Sequence, residues 1–206
     1  MKLIEAIKQK GTPFEIPDCS RDDLPELFRQ MGYKVGVEIG VYKGEYTEKF
    51  LQAGLKMYAV DPWGILPEYP NTDPSRVDRQ QFLYGHALKA LDSYIESGQC
   101  KIVRKTSMEA VRDFNLESLD FVYIDGNHEF RYVAEDIYEW AKRIKKGGII
   151  SGHDYFNDVK IKIDVKCIVD AYVKAYKINP WYVLGREEYK KGEVRDKWRS
   201  WMWVKK

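Results

Sequence analysis

From Tyr33 onward, short β-branched runs alternate with segments of helical period, and nearly every run stops at a glycine or a polar cluster. Five such runs come first: Tyr33–Ile39 (YKVGVEI), Lys56–Val60 (KMYAV), Lys101–Arg104 (KIVR), Leu119–Ile124 (LDFVYI) and Gly147–Ser151 (GGIIS). Leu119–Ile124 is the most apolar, as a strand buried on both faces must be. Between them, helices are expected at Gly44–Ala53, where Tyr46, Phe50 and Ala53 share a face, and at Ser107–Phe114. A longer helix or helix pair should open at Asp73-Pro74 and run through Phe82, Leu83, Leu88 and Leu91 to about Ile95. Phe130–Ile144 carries Val133, Ile137, Trp140, Ala141 and Ile144 in one stripe, and Val165–Tyr176 does the same with Ile168, Val169, Tyr172 and Tyr176.

Parallel neighbours in a sheet need a crossover of a dozen or more residues, which these helices supply. The last two runs, Pro180–Leu184 and Trp198–Val204, have only the polar segment Gly185–Asp196 between them, so that pair is expected to run antiparallel. Residues 1–33 are expected to form one or two capping helices, with Ser20-Arg-Asp-Asp23 patterned as a capping box. At 206 residues the whole chain fits one domain with a sizeable core.

Composition narrows the class of partner. A net charge of +2 argues against a dedicated nucleic-acid binder, although basic residues gather after Asn157, 13 against 7 acidic. That asymmetry reads as a solvated helical face. Cys19, Cys100 and Cys167 are scattered and odd in number, which suits reduced thiols rather than a disulfide framework or a zinc site. The opening MKLIEAIKQKGTPFEIP has no apolar secretory core, and no run approaches a membrane-spanning length. A cytoplasmic protein without membrane attachment is expected, with homo-oligomerisation left open.

In an open parallel sheet, ligands bind beyond the carboxyl ends of the strands, where strand order reverses. The residues just past each run are therefore the candidate site. Glu38-Ile-Gly40-Val-Tyr-Lys-Gly44 is a glycine-bearing strand-to-helix turn: Gly40 would admit close approach to a ligand, and Gly44 would start the helix without a clash. It lacks the GxGxxG of pyrophosphate-binding dinucleotide enzymes, so a ligand without phosphates fits better. Asp61, ending the second run, is placed to accept hydrogen bonds from a ribose diol, or else is a turn residue before Pro62. Ser107 either faces an adenine edge or simply caps its helix.

Asp125, His128, His153 and Asp154 form a second cluster at adjacent strand exits. Oxygen and imidazole ligands suit Mg²⁺ or Mn²⁺, which would hold a substrate hydroxyl and lower its pKa. Without a metal, His128 or His153 would act as general base. The structural alternative has Asp125 and Asp154 capping helices.

The segments VGVEIGVYKGEYTEKFL, YAVDPW, FVYIDGNHEFRYVAEDIYEWAKRIKKGGIISGHDY and VKCIVDAYV resemble class I S-adenosylmethionine-dependent methyltransferases, near the macrocin O-methyltransferase and cephalosporin-hydroxylase-like group. The resemblance runs from about Tyr33 to the end and is most specific over Asp120–Tyr155. It implies a Rossmann-like α/β three-layer sandwich with a seven-stranded, mostly parallel sheet whose last strand is antiparallel. It further implies that Glu38, Gly40 and Gly44 line the methionine and ribose portions of S-adenosylmethionine, that Asp61 binds the ribose hydroxyls, and that Ser107 and Met108 lie near the adenine. Metal-dependent relatives bind Mg²⁺ through an acid after the fourth strand and an acidic pair after the fifth. Asp125 and Asp154 match, while His153 stands where the other acid is expected. Asp125, His153 and Asp154 are thus the implied metal set, and Asp125, His128 and His153 the implied catalytic set.

The implied acceptor is a small molecule, a sugar or natural-product hydroxyl. Its specificity would lie in the N-terminal cap, Trp63–Val77 and Phe156–Lys162, where Trp63, Tyr69, Tyr155 and Phe156 could stack on a ring. Two rivals stand beside this reading. One is a nicotinamide-dependent oxidoreductase, against which the missing third glycine counts; the other is a non-catalytic nucleoside binder on the same scaffold.

Overall fold

The computed structural model describes residues 3–64, 74–185 and 198–206. The strand pattern read from the sequence is present: β2 (Val35–Ile39), β3 (Lys56–Val60), β4 (Cys100–Val103), β5 (Leu119–Ile124), β6 (Ile144–Gly152), β7 (Tyr182–Leu184) and β8 (Ser200–Val204). An eighth strand, β1 (Phe14–Ile16), joins them and corrects the all-helical expectation for residues 1–33. β1 pairs parallel with β7, so residues 1–33 contribute an edge strand as well as the helices α1 (Leu3–Ala6) and α2 (Leu24–Gln30). A three-residue strand with one apolar position buried has too short a pattern to declare itself in sequence; its pairing with β7 makes it a strand.

The sheet order is β1-β7-β8-β6-β5-β2-β3-β4. β8 alone among the described strands runs antiparallel, against both β6 and β7. Strand order reverses between β2 and β5, which opens a crevice at their carboxyl ends.

The helices α3 (Glu45–Gln52), α4 (Pro74–Glu96), α5 (Ser107–Ala110), α6 (Phe130–Ala141) and α7 (Val165–Ala175) cover the two faces. On one face Phe28, Phe50, Met57, Leu91, Phe121 and Tyr123 form a core; on the other, Val122, Ile124, Val133, Ile137, Trp140 and Val169 form a second. Every residue of β5 is buried, because its side chains alternate into both cores.

Several local expectations shift. α4 is one helix whose buried stripe is Leu83, Ala87 and Leu91, leaving Phe82 and Leu88 exposed. α6 ends at Ala141, and Ile144 instead opens β6, where it pairs with Leu119. Ser20 and Asp23 do form the reciprocal capping box, on a 3₁₀ turn leading into α2. Asp73, Tyr69 and residues 186–196 of the expected loop lie outside the described residues. Cys19 and Cys100 are buried and Cys167 exposed, all as free thiols. No helix among the described residues is long and apolar enough to cross a membrane.

Close packing between β2 and β5 leaves no room for a side chain at Gly36: a Cβ there would sit 2.2 Å from the ring of Phe121, itself held against Phe28 and Phe50. Gly36→Ala is expected to lower the unfolding free energy by ~1–3 kcal/mol through overpacking, measured by denaturant titration.

Candidate functional site

The exits of β2, β3 and β5 are tied backbone to backbone. Gly40 N–H donates to Val60 O at 2.9 Å, and Asp125 N–H donates to Ile39 O at 2.8 Å. Gly40 has φ +88°, and a Cβ there would lie 2.1 Å from the carbonyl oxygen of Asp125. The glycine expected to admit a ligand is therefore required first by the chain's own Asp125–Gly126 backbone. Gly44, at φ +84°, starts α3 as expected, with Leu91 of α4 packed 3.2 Å from where its Cβ would be.

Asp61 accepts three backbone hydrogen bonds: from Val41 and Tyr42 to Oδ2, both 3.0 Å, and from Trp63 to Oδ1 at 2.8 Å. Asp61 takes the turn role, its carboxylate holding the glycine loop in place, and it also lines the cavity beside that loop. Burial raises its pKa, against the lowering effect of those three N–H groups. Trp63 closes the same turn. Fully buried, it donates its indole N–H to Tyr42 O at 2.8 Å, and it borders the cavity described next. Tyr155 is likewise buried, and Phe156 is occupied by stacking on Trp198 at 4.2 Å.

A cavity of about 600 Å³ opens where these strands end, lined by Gly40, Asp61, Ser107, Met108, Asp125 and Asp136 among others. Its volume suits a nucleoside-sized ligand. Glu38 and Gly44 are not in its wall. Glu38 is 1% exposed and accepts a hydrogen bond from the Thr47 hydroxyl. Ser107 is not the helix cap: Thr106 is, in a reciprocal box with Glu109. Its hydroxyl instead donates to Asp136 Oδ1 and accepts from the Trp140 indole at 2.8 Å.

At one side of the cavity, Asp125 joins the second cluster. His128 Nε2 lies 2.9 Å from Asp154 Oδ2 and 3.5 Å from Asp125 Oδ1, and His153 Nδ1 lies 3.5 Å from Asp154 Oδ2. Neither aspartate caps a helix. Asp154 sits in the left-handed region at φ +54°, and the N-caps of α6 and α7 are Glu129 and Asp164. Burial opposes protonation of His128, but the Asp125 and Asp154 carboxylates outweigh it and raise its pKa to about 9. For Asp154, burial is outweighed by His128 and His153, which hold its carboxyl well below the usual range. The ligand atoms of Asp125, His128 and Asp154 all fall within 4.8 Å of one another.

Arg21, which sequence reading passed over, reaches from the N-terminal segment to place Nη1 3.2 Å from Asp125 Oδ2. Its sole local sign is membership of the capping-box tetrapeptide. Asp136 was also missed, although an acid at a stripe position between Val133 and Trp140 is a signal that sequence does carry.

A family model described as a methyltransferase domain matches residues 37–155, more than half of the chain. Among solved structures, the fold is similar to an O-methyltransferase from Bacillus cereus in complex with SAH, at TM-score 0.61 and 14% identity over 90% of this chain and 80% of that one. A Staphylococcus aureus protein provisionally assigned as a caffeoyl-CoA O-methyltransferase gives TM-score 0.62 and 13% identity, over 90% and 82%. An rRNA methylase from Streptococcus thermophilus gives 0.56 and 15%, over 84% and 87%. At such identities the structural likenesses establish the fold alone.

Burial pushes the Glu38 carboxyl up to about 8, with Asp125 and Asp61 adding to the rise and Thr47 and Arg21 opposing it. The folded state therefore holds a proton that the unfolded chain, near 4.5, has released, so stability falls as pH rises from about 4.5 to about 8. This group's share of the slope is at most about 1.4 kcal/mol per pH unit. Melting temperatures across that window should fall less steeply for Glu38→Gln than for the parent; identical slopes would remove Glu38 as their source.

Proposed function

Because the chain belongs to the class I S-adenosylmethionine-dependent methyltransferases, we propose that it transfers the donor's methyl group to a hydroxyl of a small acceptor, a sugar or natural product, assisted by a divalent cation. One observation carries this reading: Asp125 belongs both to the wall of the 600 Å³ cavity and to the carboxylate–imidazole cluster beside it. A nucleoside filling the cavity and a hydroxyl held at the cluster would then be neighbours.

The sulfonium makes its methyl carbon electrophilic. As the acceptor oxygen forms its bond to that carbon, the carbon–sulfur bond breaks and its electron pair stays on sulfur, leaving a neutral thioether. The hydroxyl ionises first, its proton passing to solvent. The chain's contribution is chiefly orientation and exclusion of water. The loop from Gly40 to Tyr42, clamped by Asp61 and Trp63, supplies a preorganised wall. Asp61 is assigned to the ribose hydroxyls through lone-pair capacity left beyond its three backbone donors. Asp125 is assigned to hold the acceptor hydroxyl.

The donor set fits a hard cation such as Mg²⁺ or Mn²⁺: two carboxylates and one imidazole converge. His128 Nε2 is buried and close to Asp154, yet not aligned for a hydrogen bond with it, as expected of atoms directed at a shared point. Asp125, His128 and Asp154 would hold the ion, which would lower the pKa of a hydroxyl bound beside it. His153 then orients Asp154 rather than ligating. The cation also answers a difficulty in the metal-free alternative, where His128, raised to about 9, would already carry its proton at neutral pH. A small acceptor rather than RNA accords with a net charge of only +2.

Transfer of labelled methyl from S-adenosylmethionine to a panel of sugar and phenolic hydroxyls tests the reading, with loss of activity expected in EDTA and recovery on adding Mg²⁺ or Mn²⁺. Asp125→Asn should reduce turnover about 100-fold or more while S-adenosylhomocysteine (SAH) still binds in calorimetry. Asp61→Ala should weaken SAH binding by about tenfold or more. Full turnover in the first variant, or unchanged affinity in the second, would refute the corresponding role.

A further inference from the structure

We infer that the cleft between the C-terminal ends of α6 and α7 is a second ligand site, suited to a planar aromatic ring that carries a phosphate group. The cleft holds about 330 Å³, a volume in the range of small-molecule sites. Tyr138, Ala141 and Lys142 border it at the end of α6, and Tyr172, Tyr176 and Lys177 at the end of α7. Ile150 and Trp203 of the sheet also line it. Among the described residues, none borders both this cleft and the 600 Å³ cavity. Only α6 reaches both among the described helices, the cavity through Tyr132, Glu135 and Asp136 and the cleft through its last turn.

The rings here form a ladder from core to surface. Trp201 stacks on Trp203 at 5.2 Å, Trp203 on Tyr172 at 5.6 Å and Tyr172 on Tyr176 at 4.5 Å, with interplanar angles of 21–28°. Both tryptophans are buried, whereas Tyr176 is 56% exposed and Tyr138, on α6, is 48% exposed. A flat ring entering the cleft would extend the stack. The hydroxyls of Tyr138, Tyr172 and Tyr176 make no hydrogen bond to another described residue. They lie close together: burial, with Tyr176 and Tyr138 adding to it, pushes the Tyr172 phenol up to about 12, so it remains an O–H donor at neutral pH. Four lysines line the cleft, and among the described residues no acid does. Lys142 and Lys205 pair with Glu139 and Glu117, and Lys206 donates to Asn179 O. The Lys177 ammonium has no partner among the described residues. A cationic guest, which clustered aromatics would otherwise attract, is repelled by these lysines. The two helix C-termini, worth about −0.5 charge each, offset only part of the lysine charge. A phosphate carries about −1.5 to −2 charge and three acceptor oxygens, so it can receive several O–H groups and an ammonium at once.

The test is calorimetry on the full chain with 2-naphthyl phosphate, compared with 2-naphthol for the ring alone and inorganic phosphate for the anion alone. The ester should bind about tenfold or more tighter than either part. Lys177→Gln should weaken the ester about tenfold and Tyr176→Ala about fivefold or more. Both residues are exposed, so neither change reaches the core. Saturation with SAH should leave the ester's affinity unchanged, since the donor cavity shares no wall with the cleft. Three results would each overturn the assignment: no preference for the ester over its parts, variants that keep the parent's affinity, or displacement of the ester by SAH. A concentration-dependent dimer in sedimentation that Tyr176→Ala dissociates, with no ester bound, would overturn it too and give the cleft to a second copy of the chain.

Discussion

The contact between the backbone after β2 and the backbone after β5 governs the rest of the site. Gly40 lies so near the Asp125 carbonyl that no side chain fits between them. That approach brings the glycine loop, where a nucleoside would lie, against the first residue of the carboxylate–imidazole cluster. Without it, the loop and the cluster would be separate features of two neighbouring strands. The positive φ of Gly40 follows from this geometry, since an L side chain would be both strained and in collision.

Around that contact the protein concentrates buried and half-buried acids, and each has different neighbours. Asp61 is satisfied by three backbone amides, and Asp154 is flanked by two histidines. Asp125 is shared between Arg21 and His128. Glu38 and Asp136 each receive one side-chain hydroxyl, and burial pushes both upward. These two carry protons more readily, and of them only Asp136 is in the cavity wall.

Much of this was legible beforehand, though unevenly. β3 and β5 coincide with their expected bounds, because a β-branched run between a turn and a polar exit leaves little freedom. The rule that ligands gather at strand exits located Asp61, Ser107, Met108 and Asp125 in the cavity wall. It could not separate wall from interior: Glu38 is buried outside the wall, and Gly44 serves a helix contact. Ser107 was assigned to the ligand or to a cap, and instead supports an aspartate one helix away. β1 and Arg21 escaped altogether, because each acquires its role only from a partner more than 100 residues distant.

What the sequence determined by itself was the alternation of strands and helices, the antiparallel final strand and the set of polar residues at the exits. All of these are set by local periodicity and by connection length, which are properties of contiguous segments. Tertiary structure alone decided which exits meet, which side chains open onto the cavity, and which carboxylates lack donors. Those outcomes depend on strand order and on desolvation by distant neighbours, and no short stretch of chain encodes either.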